Sequence, residues 1–373
     1  MKKALYVATV DIHIKSFHLP YLKLLHDNGY EVHVATNGDE KFPFCDVKHQ
    51  ICIERSPFKL SNIKAIKQLK KIIETEKFDI VHCHTPMGAV VTRLAAKEAR
   101  SKNGTRVIYT AHGFHFYNGA PILNWFIFYP IEKYLAKYTD TLITINEEDF
   151  ELAKNKFSRR CKDIQYIPGV GIDVKKFNID ISENEKKQLK KSLGIKQNDF
   201  ILTCVARLDK NKNQKFLINV MEKIYKKSTD ISLLLVGNDE MKGYYKKIVN
   251  NKKLNSKIYF LGRREDIPKI LSITDVVVSA SKREGLPVNI IEAFASNKKV
   301  VALNCRGMSD LIINNDNGYI CNNEMEFINS IYNIKNNKLE SNNSTKDILR
   351  KVSIENVVSL MKKVYKIKEQ EYE

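Results

Sequence analysis

The sequence predicts an α/β protein made of two consecutive parallel-sheet, Rossmann-like domains. Three observations carry this. Short apolar runs alternate with longer amphipathic segments, the pattern of βα units whose strands are buried on both faces. The alternation runs through once and restarts near residue 200. The chain has 373 residues, about twice the usual single-domain length.

In the first series, strands are expected at 4–9, 31–36, 79–84, 106–112, 141–146 and 165–168. Each is a run of apolar or β-branched residues that ends in polar ones. Helices are expected near 19–28, 62–77, 87–101, 123–138 and 147–156, with a polar loop over 10–18. The Gly-containing stretch 168–177 marks the boundary, giving domains 1–168 and 169–353, and a charged helix near 182–193 follows it. The second series has strands at 200–206, 231–237, 258–262, 275–281 and 299–304. Helices near 213–227, 240–252, 288–296 and 308–314 separate them. Residues 314–345 are rich in Asn and Ser and read partly as loop. Beyond Ile354, helical spacing places Val357, Val358, Met361, Val364 and Tyr365 on one face.

Composition narrows the function classes. Hydrophobic residues make up 43% and charged residues 28%, which excludes a disordered or collagen-like chain. No stretch approaches the ~20 apolar residues of a membrane span. The N-terminal apolar run meets Asp11 and reads as a first buried strand, not a signal peptide. Seven scattered cysteines without a CxxC fit reduced thiols in a cytoplasmic protein. Lys and Arg (62) outnumber Asp and Glu (43), a formal charge of +19. Such an excess attracts an anionic membrane surface or phosphorylated ligands. Specific nucleic-acid binding is not expected. Abundant Lys, Asn and Ile would also follow from base composition alone.

In open parallel sheets, ligands bind beyond the carboxyl ends of the strands. The richest strand end is 279–293, SASKREGLPVNIIEA. Glu284, Gly285 and Leu286 lie in its turn, Pro287 opens a helix, and Glu292 follows about one turn in. Helix N–H groups suit a phosphate, and carboxylates suit sugar hydroxyls. A capped helix with a first-turn acid would show the same residues. The second strand end is 205–213, VARLDKNKN, where Arg207 and Lys212 place two cations on one turn, a fit for a diphosphate.

Taken in order, these blocks resemble the C-terminal half of the GT-B glycosyltransferases of family 4. That family shows R-L-x(3)-K, then a strand-ending Gly, then S-x-x-E-G-x-P-x(4)-E-A. This chain offers Arg207, Leu208 and Lys212, then Gly237, then Ser281, Glu284, Gly285, Pro287, Glu292 and Ala293. The N-terminal half is similar to the family's capsule and exopolysaccharide branch, through SFHLPYLKLLHDNGYEVHVAT, DIVHCHTPMGAVVTRLAA and VIYTAHGFHFYNGAP. The resemblance covers about residues 1–320. It implies two domains facing across a cleft, an acceptor side in the first and nucleotide-sugar binding in the second. It also implies that residues 354–373 form a helix packing back on the N-terminal domain.

The resemblance further implies a retaining transfer from a UDP-sugar donor to a polyprenyl-diphosphate-linked glycan. Arg207 and Lys212 would neutralise the departing diphosphate. Glu292 would bind ribose hydroxyls and Glu284 the donor sugar, beside Gly237, Gly285 and Leu286. His112 would touch the donor sugar or the acceptor. The leaving phosphate would take the acceptor proton, so no separate base is assigned. Such an enzyme would sit in the cytoplasm, peripheral at the inner face of the membrane. The loop over 10–18 departs from the family by lacking Gly-Gly.

Asp-x-Asp is absent, as is GxGxxG after the first strand, and there is no Walker A. No metal and no resident cofactor are therefore expected. His82 and His84 form an HxH, but no third ligand has suitable spacing. Residues 114–131 are unusually aromatic and hold the only Trp, Trp125. They read either as a buried helix with its loop or as an apolar surface that dips into a membrane interface. Two rival functions share the fold: a UDP-sugar 2-epimerase, and a non-catalytic glycan- or polyanion-binding protein.

Overall fold

The computed structural model describes residues 1–337, 339 and 344–367. The chain divides into two compact units. One comprises Met1–Gly171 together with the segment from Ile354, and the other is Ile172–Ser353. The break falls three residues later than Pro168. Ile167 is buried in the first core, and the Tyr21 hydroxyl donates to the Val170 carbonyl.

The first unit holds β1 (Lys2–Val10), β2 (Tyr30–Asn37), β3 (Val47–Gln50), β4 (Ile80–His84), β5 (Arg106–Ala111), β6 (Thr141–Thr144) and β7 (Asp163–Tyr166). They form one parallel sheet in the order β3-β2-β1-β4-β5-β6-β7. The second unit holds β8 (Phe200–Val205), β9 (Ile231–Val236), β10 (Ile258–Gly262), β11 (Val276–Ser279), β12 (Lys299–Leu303) and β13 (Gly318–Cys321). Their order is β10-β9-β8-β11-β12-β13, again all parallel. The central strands are buried throughout, from Ala4–Ala8 in β1 to Ile231–Val236 in β9. That is why they read as continuous apolar runs, without the two-residue alternation of a half-exposed strand.

The structure departs from the expected elements in several places. The segment 10–18, expected as a polar loop, is largely a helix, Asp11–Phe17, with Asp11 in its first turn. Residues 308–314 form turns rather than a helix. Met308, Leu311 and Ile312 are buried at helical spacing, but Asn317 caps the segment by accepting from Ile313 N–H and donating to the Leu311 carbonyl. The helix expected at 87–101 is two, Pro86–Ala95 and Lys97–Asn103. Strands β3 and β13 and the helices Ile267–Ser272 and Glu324–Lys335 are additional.

The last described helix, Ile354–Tyr365, belongs to the first unit. It buries Val357, Met361, Val364 and Tyr365 in the core that also holds Tyr6, Leu22 and Leu25. Residues 368–373 of the expected C-terminal segment lie outside the described residues.

Candidate functional site

In both sheets the strand order reverses beside the first strand, between β1 and β4 in one unit and between β8 and β11 in the other. Loops leaving neighbouring strands in opposite directions at such a switch point open a crevice for ligands. Arg207, Lys212 and the Glu284–Leu286 turn fall at the second of these and His84 at the first, while Gly237 follows β9 and His112 follows β5, each one strand away.

In the second unit, β8 leads into Arg207 and Lys212, and β11 leads into the turn of Glu284, Gly285 and Leu286. The Lys212 ammonium meets Glu284 Oε1 at 2.5 Å, so the two loops close on each other by a half-buried ion pair. Asn211 laces them further. Its amide donates to the Arg283 carbonyl at 3.0 Å, and its carbonyl accepts from Lys282 N–H at 2.8 Å. Asp209 accepts from Lys212 N–H at 2.8 Å and pins the turn. Arg207 is 61% exposed and stands 3.5 Å from the Asp209 carboxylate, a loose tether that leaves most of its donors to an incoming anion.

Gly237 ends up where a side chain cannot go. A Cβ there would lie 2.1 Å from the Ala206 carbonyl, so this glycine lets the end of β9 pass against the strand exit that carries Arg207. Leu286 is buried and anchors its turn. Pro287 is the N-cap of the helix Val288–Ala295, one position before the first helical residue. Glu292 lies one turn into that helix. Burial pushes its carboxyl up to about 7, against the pull of the Lys176 ammonium. A half-buried carboxylate in this setting can accept from both hydroxyls of a vicinal diol.

Arg306 was not anticipated. It is buried, and its Nε donates to the Glu284 carbonyl at 3.2 Å. Beside it, a Cβ on Gly307 would lie 2.2 Å from the Gly285 carbonyl. The turn after β12 thus supports the Glu284 turn. Its only trace in the sequence is a third polar strand end, NCRGM, next to the motif-bearing one.

In the first unit, His112 follows β5 and His84 ends β4, with His84 Nδ1 and His112 Nε2 3.3 Å apart. His18 and His13, from the segment after β1, join them, and the ligand nitrogens of all four lie within 4.8 Å of one another. The expectation that HxH lacks further partners is corrected here. His84 has three histidine neighbours, while His82 turns to structure. His82 Nδ1 meets the Tyr365 hydroxyl and Nε2 the Thr110 hydroxyl, both at 2.8 Å. His115 packs its ring 4.7 Å from Phe128, away from this group.

The aromatic segment folds as the helix Ile122–Leu135 with two different faces. Trp125, Phe128 and Tyr129 pack on the core, and Trp125 Nε1 donates to the Tyr117 carbonyl at 3.2 Å. Trp125 is therefore half-buried. The exposed apolar residues are Ile122, Leu123, Phe126, Ile127, Ile131 and Tyr134, with Phe126 at 74% exposure. Among the described residues no helix is long and apolar enough to cross a membrane.

Residues 185–352 match the family model described as Glycosyl transferases group 1, and residues 3–146 match Glycosyl transferase 4-like. The chain is 44% identical over 319 residues to EpsD of Bacillus subtilis (strain 168), which bears a glycosyltransferase name. That match covers 86% of this chain and 83% of EpsD. A second relative, from Escherichia coli, is named UDP-Gal:alpha-D-GlcNAc-diphosphoundecaprenol alpha-1,3-galactosyltransferase. It is 31% identical over 318 residues, 83% of this chain and 79% of its own. The crystal structure of Anabaena Alr3699/HepE in complex with UDP and glucose shares the fold, with a TM-score of 0.76 at 19% identity over 98% of this chain and all of that one. Family models on both sheets, and relatives matched over more than four-fifths of the chain, make this protein a glycosyltransferase of family 4 with the GT-B fold.

Proposed function

We propose that the enzyme moves a sugar from a UDP-sugar to a polyprenyl-diphosphate-linked glycan, with retention, during synthesis of a bacterial capsule or exopolysaccharide. The observation that carries this reading is the pairing of the Arg207–Lys212 turn with the Glu284–Glu292 loop and helix at one switch point. It offers cations for a diphosphate beside carboxylates for hydroxyls. Lys212 is held by Glu284 in the free chain. A diphosphate would recruit the ammonium and release Glu284 to the donor sugar. His112 serves the sugar or the acceptor. The lipid-linked acceptor and UDP donor draw support from the name of the Escherichia coli relative.

The test is UDP release with and without a polyprenyl-diphosphate-linked glycan. Release should depend on the acceptor, and mass spectrometry should show one added sugar. Acceptor-independent UDP release with an epimerised sugar would replace this reading with a UDP-sugar 2-epimerase.

Fixed cations take the place of a metal on the diphosphate. Turnover is therefore expected to be undiminished in EDTA. Complete loss of turnover, restored by Mg²⁺ or Mn²⁺, would falsify that assignment.

The enzyme works in the cytoplasm, peripheral at the inner membrane face. Support comes from the +19 charge and from the exposed helix face around Phe126, flanked by Lys133 and Lys137. Binding to anionic vesicles is expected to weaken with salt, since exposed charges are screened over ~8–10 Å. Phe126→Glu should weaken it too. Co-sedimentation indifferent to lipid charge, salt and this substitution would refute the surface.

A further inference from the structure

The first unit carries a group of histidines that is only partly paired within the fold: His84 Nδ1 meets His112 Nε2 at 3.3 Å, and the remaining contacts are few. His18 is 2% exposed and His84 1% exposed. Both ring nitrogens of His18, Nε2 of His84 and Nε2 of His13 are buried without a hydrogen-bond partner. A buried polar atom left unpaired costs about 1–3 kcal/mol, so three such rings side by side call for an occupant. His18, His84 and His112 also line a cavity of about 20 Å³, enough for one water or one ion.

We propose that His13, His18, His84 and His112 bind a single late first-row divalent cation, of which zinc is the probe of choice. Tetrahedral imidazole nitrogens at ~2.0–2.1 Å from zinc stand about 3.3 Å apart. His84 Nδ1 and His112 Nε2 are already at 3.3 Å, and all four ligand atoms lie within 4.8 Å, so small ring rotations close the set. Ligand chemistry selects the ion: four imidazoles without a carboxylate suit zinc, cobalt, nickel or copper, and not magnesium or calcium.

Burial holds the pKa of all four histidines below the ordinary value, that of His13 at about 4. Packing of the rings, with centroids 3.9 Å apart for His18 and His84, would be repulsive for imidazolium ions. His13 and His112 are only half-buried and provide the access route. His82 stands outside the set, because both its nitrogens are engaged.

The ion would not be the diphosphate's counter-ion. Occupancy would engage His112 and so oppose its use by sugar or acceptor. The proposal rests on the histidine geometry and not on the identity of the donor.

The experiment uses the full chain, stripped with chelator and freed of it, in phosphate-free buffer. Calorimetry with Zn²⁺ and absorption with Co²⁺ read binding directly, without turnover. One ion per chain is expected, with visible Co²⁺ bands of tetrahedral type. His18→Ala and His84→Gln should each weaken binding by about 100-fold or more, since even outer partners of a metal ligand are worth 10–100-fold. His33→Ala should leave it unchanged, because both ring nitrogens of His33 are engaged elsewhere, Nδ1 with His49 Nε2 at 2.9 Å and Nε2 with Glu31 Oε1 at 2.7 Å. If a core variant does not fold by circular dichroism, His13→Ala, at the half-buried rim, tests the same set. Absent or sub-stoichiometric Zn²⁺ binding, or binding untouched by these substitutions, would overturn the site.

Discussion

Arg207→Ala is expected to lower kcat by roughly 10- to 150-fold with little change in donor KM. The range is a charge-assisted hydrogen bond of roughly 1.5–3 kcal/mol, converted at 1.4 kcal/mol per decade. The reason is timing. Negative charge grows on the diphosphate as the glycosidic bond breaks, so a guanidinium aimed there acts mainly in the transition state. Arg207 is free to do so, being 61% exposed and only loosely tethered to Asp209. The same exposure means its loss leaves the fold intact. Glu292→Ala should fail differently. A carboxylate that accepts from two ribose hydroxyls acts in ground and transition states alike, so its loss should mainly raise donor KM. Burial already disfavours that carboxylate in the free protein, so removing it should not lower the melting temperature through lost charge pairing. Steady-state kinetics with melting curves separate the cases. Folded variants with wild-type kcat and donor KM would remove both residues from the donor site.

Much of this site was legible because its spacing is local. Arg207 and Lys212 sit on one turn, and Glu284 and Glu292 on one turn and the helix it opens, so the sequence interval sets the geometry directly. What joins the two turns was not legible. The Asn211–Arg283 and Lys212–Glu284 contacts span 72 positions and exist because β8 and β11 are sheet neighbours. The histidine group was hidden for the same reason. Its members leave three strands, β1, β4 and β5, and only the parallel register brings them to one edge. In the fold, strands buried on both faces announced themselves, while β3, with the sequence VKHQ and no fully buried residue, had no apolar run to read. The helix Asp11–Phe17 was equally silent, since its seven residues lack a capping side chain and bury only Ile14.

The segment from Ile354 is where sequence periodicity and packing meet, and its removal should have the largest effect on stability. Fully burying a large apolar side chain is worth about 1.5–3 kcal/mol. Val357, Met361, Val364 and Tyr365 are all buried, so together they are worth roughly 6–12 kcal/mol. Whole domains are stable by only about 5–15 kcal/mol. Polar losses add to this. The Tyr365 hydroxyl joins Tyr6 and His82, and the Arg106 guanidinium donates to the Val364 carbonyl at 2.9 Å. Truncation before Ile354 would leave Tyr6 and His82 buried with an unmet partner. The first unit of the truncated chain is therefore expected not to fold, while the second, Ile172–Ser353, keeps its own transition in calorimetry. A graded version isolates the polar part: Tyr365→Phe keeps the ring and deletes the hydroxyl. Its expected cost is about 1–3 kcal/mol, a fall of roughly 2–12 °C at ~2–4 °C per kcal/mol. A truncated enzyme with unchanged melting temperature and turnover would show that this helix is a dispensable tail.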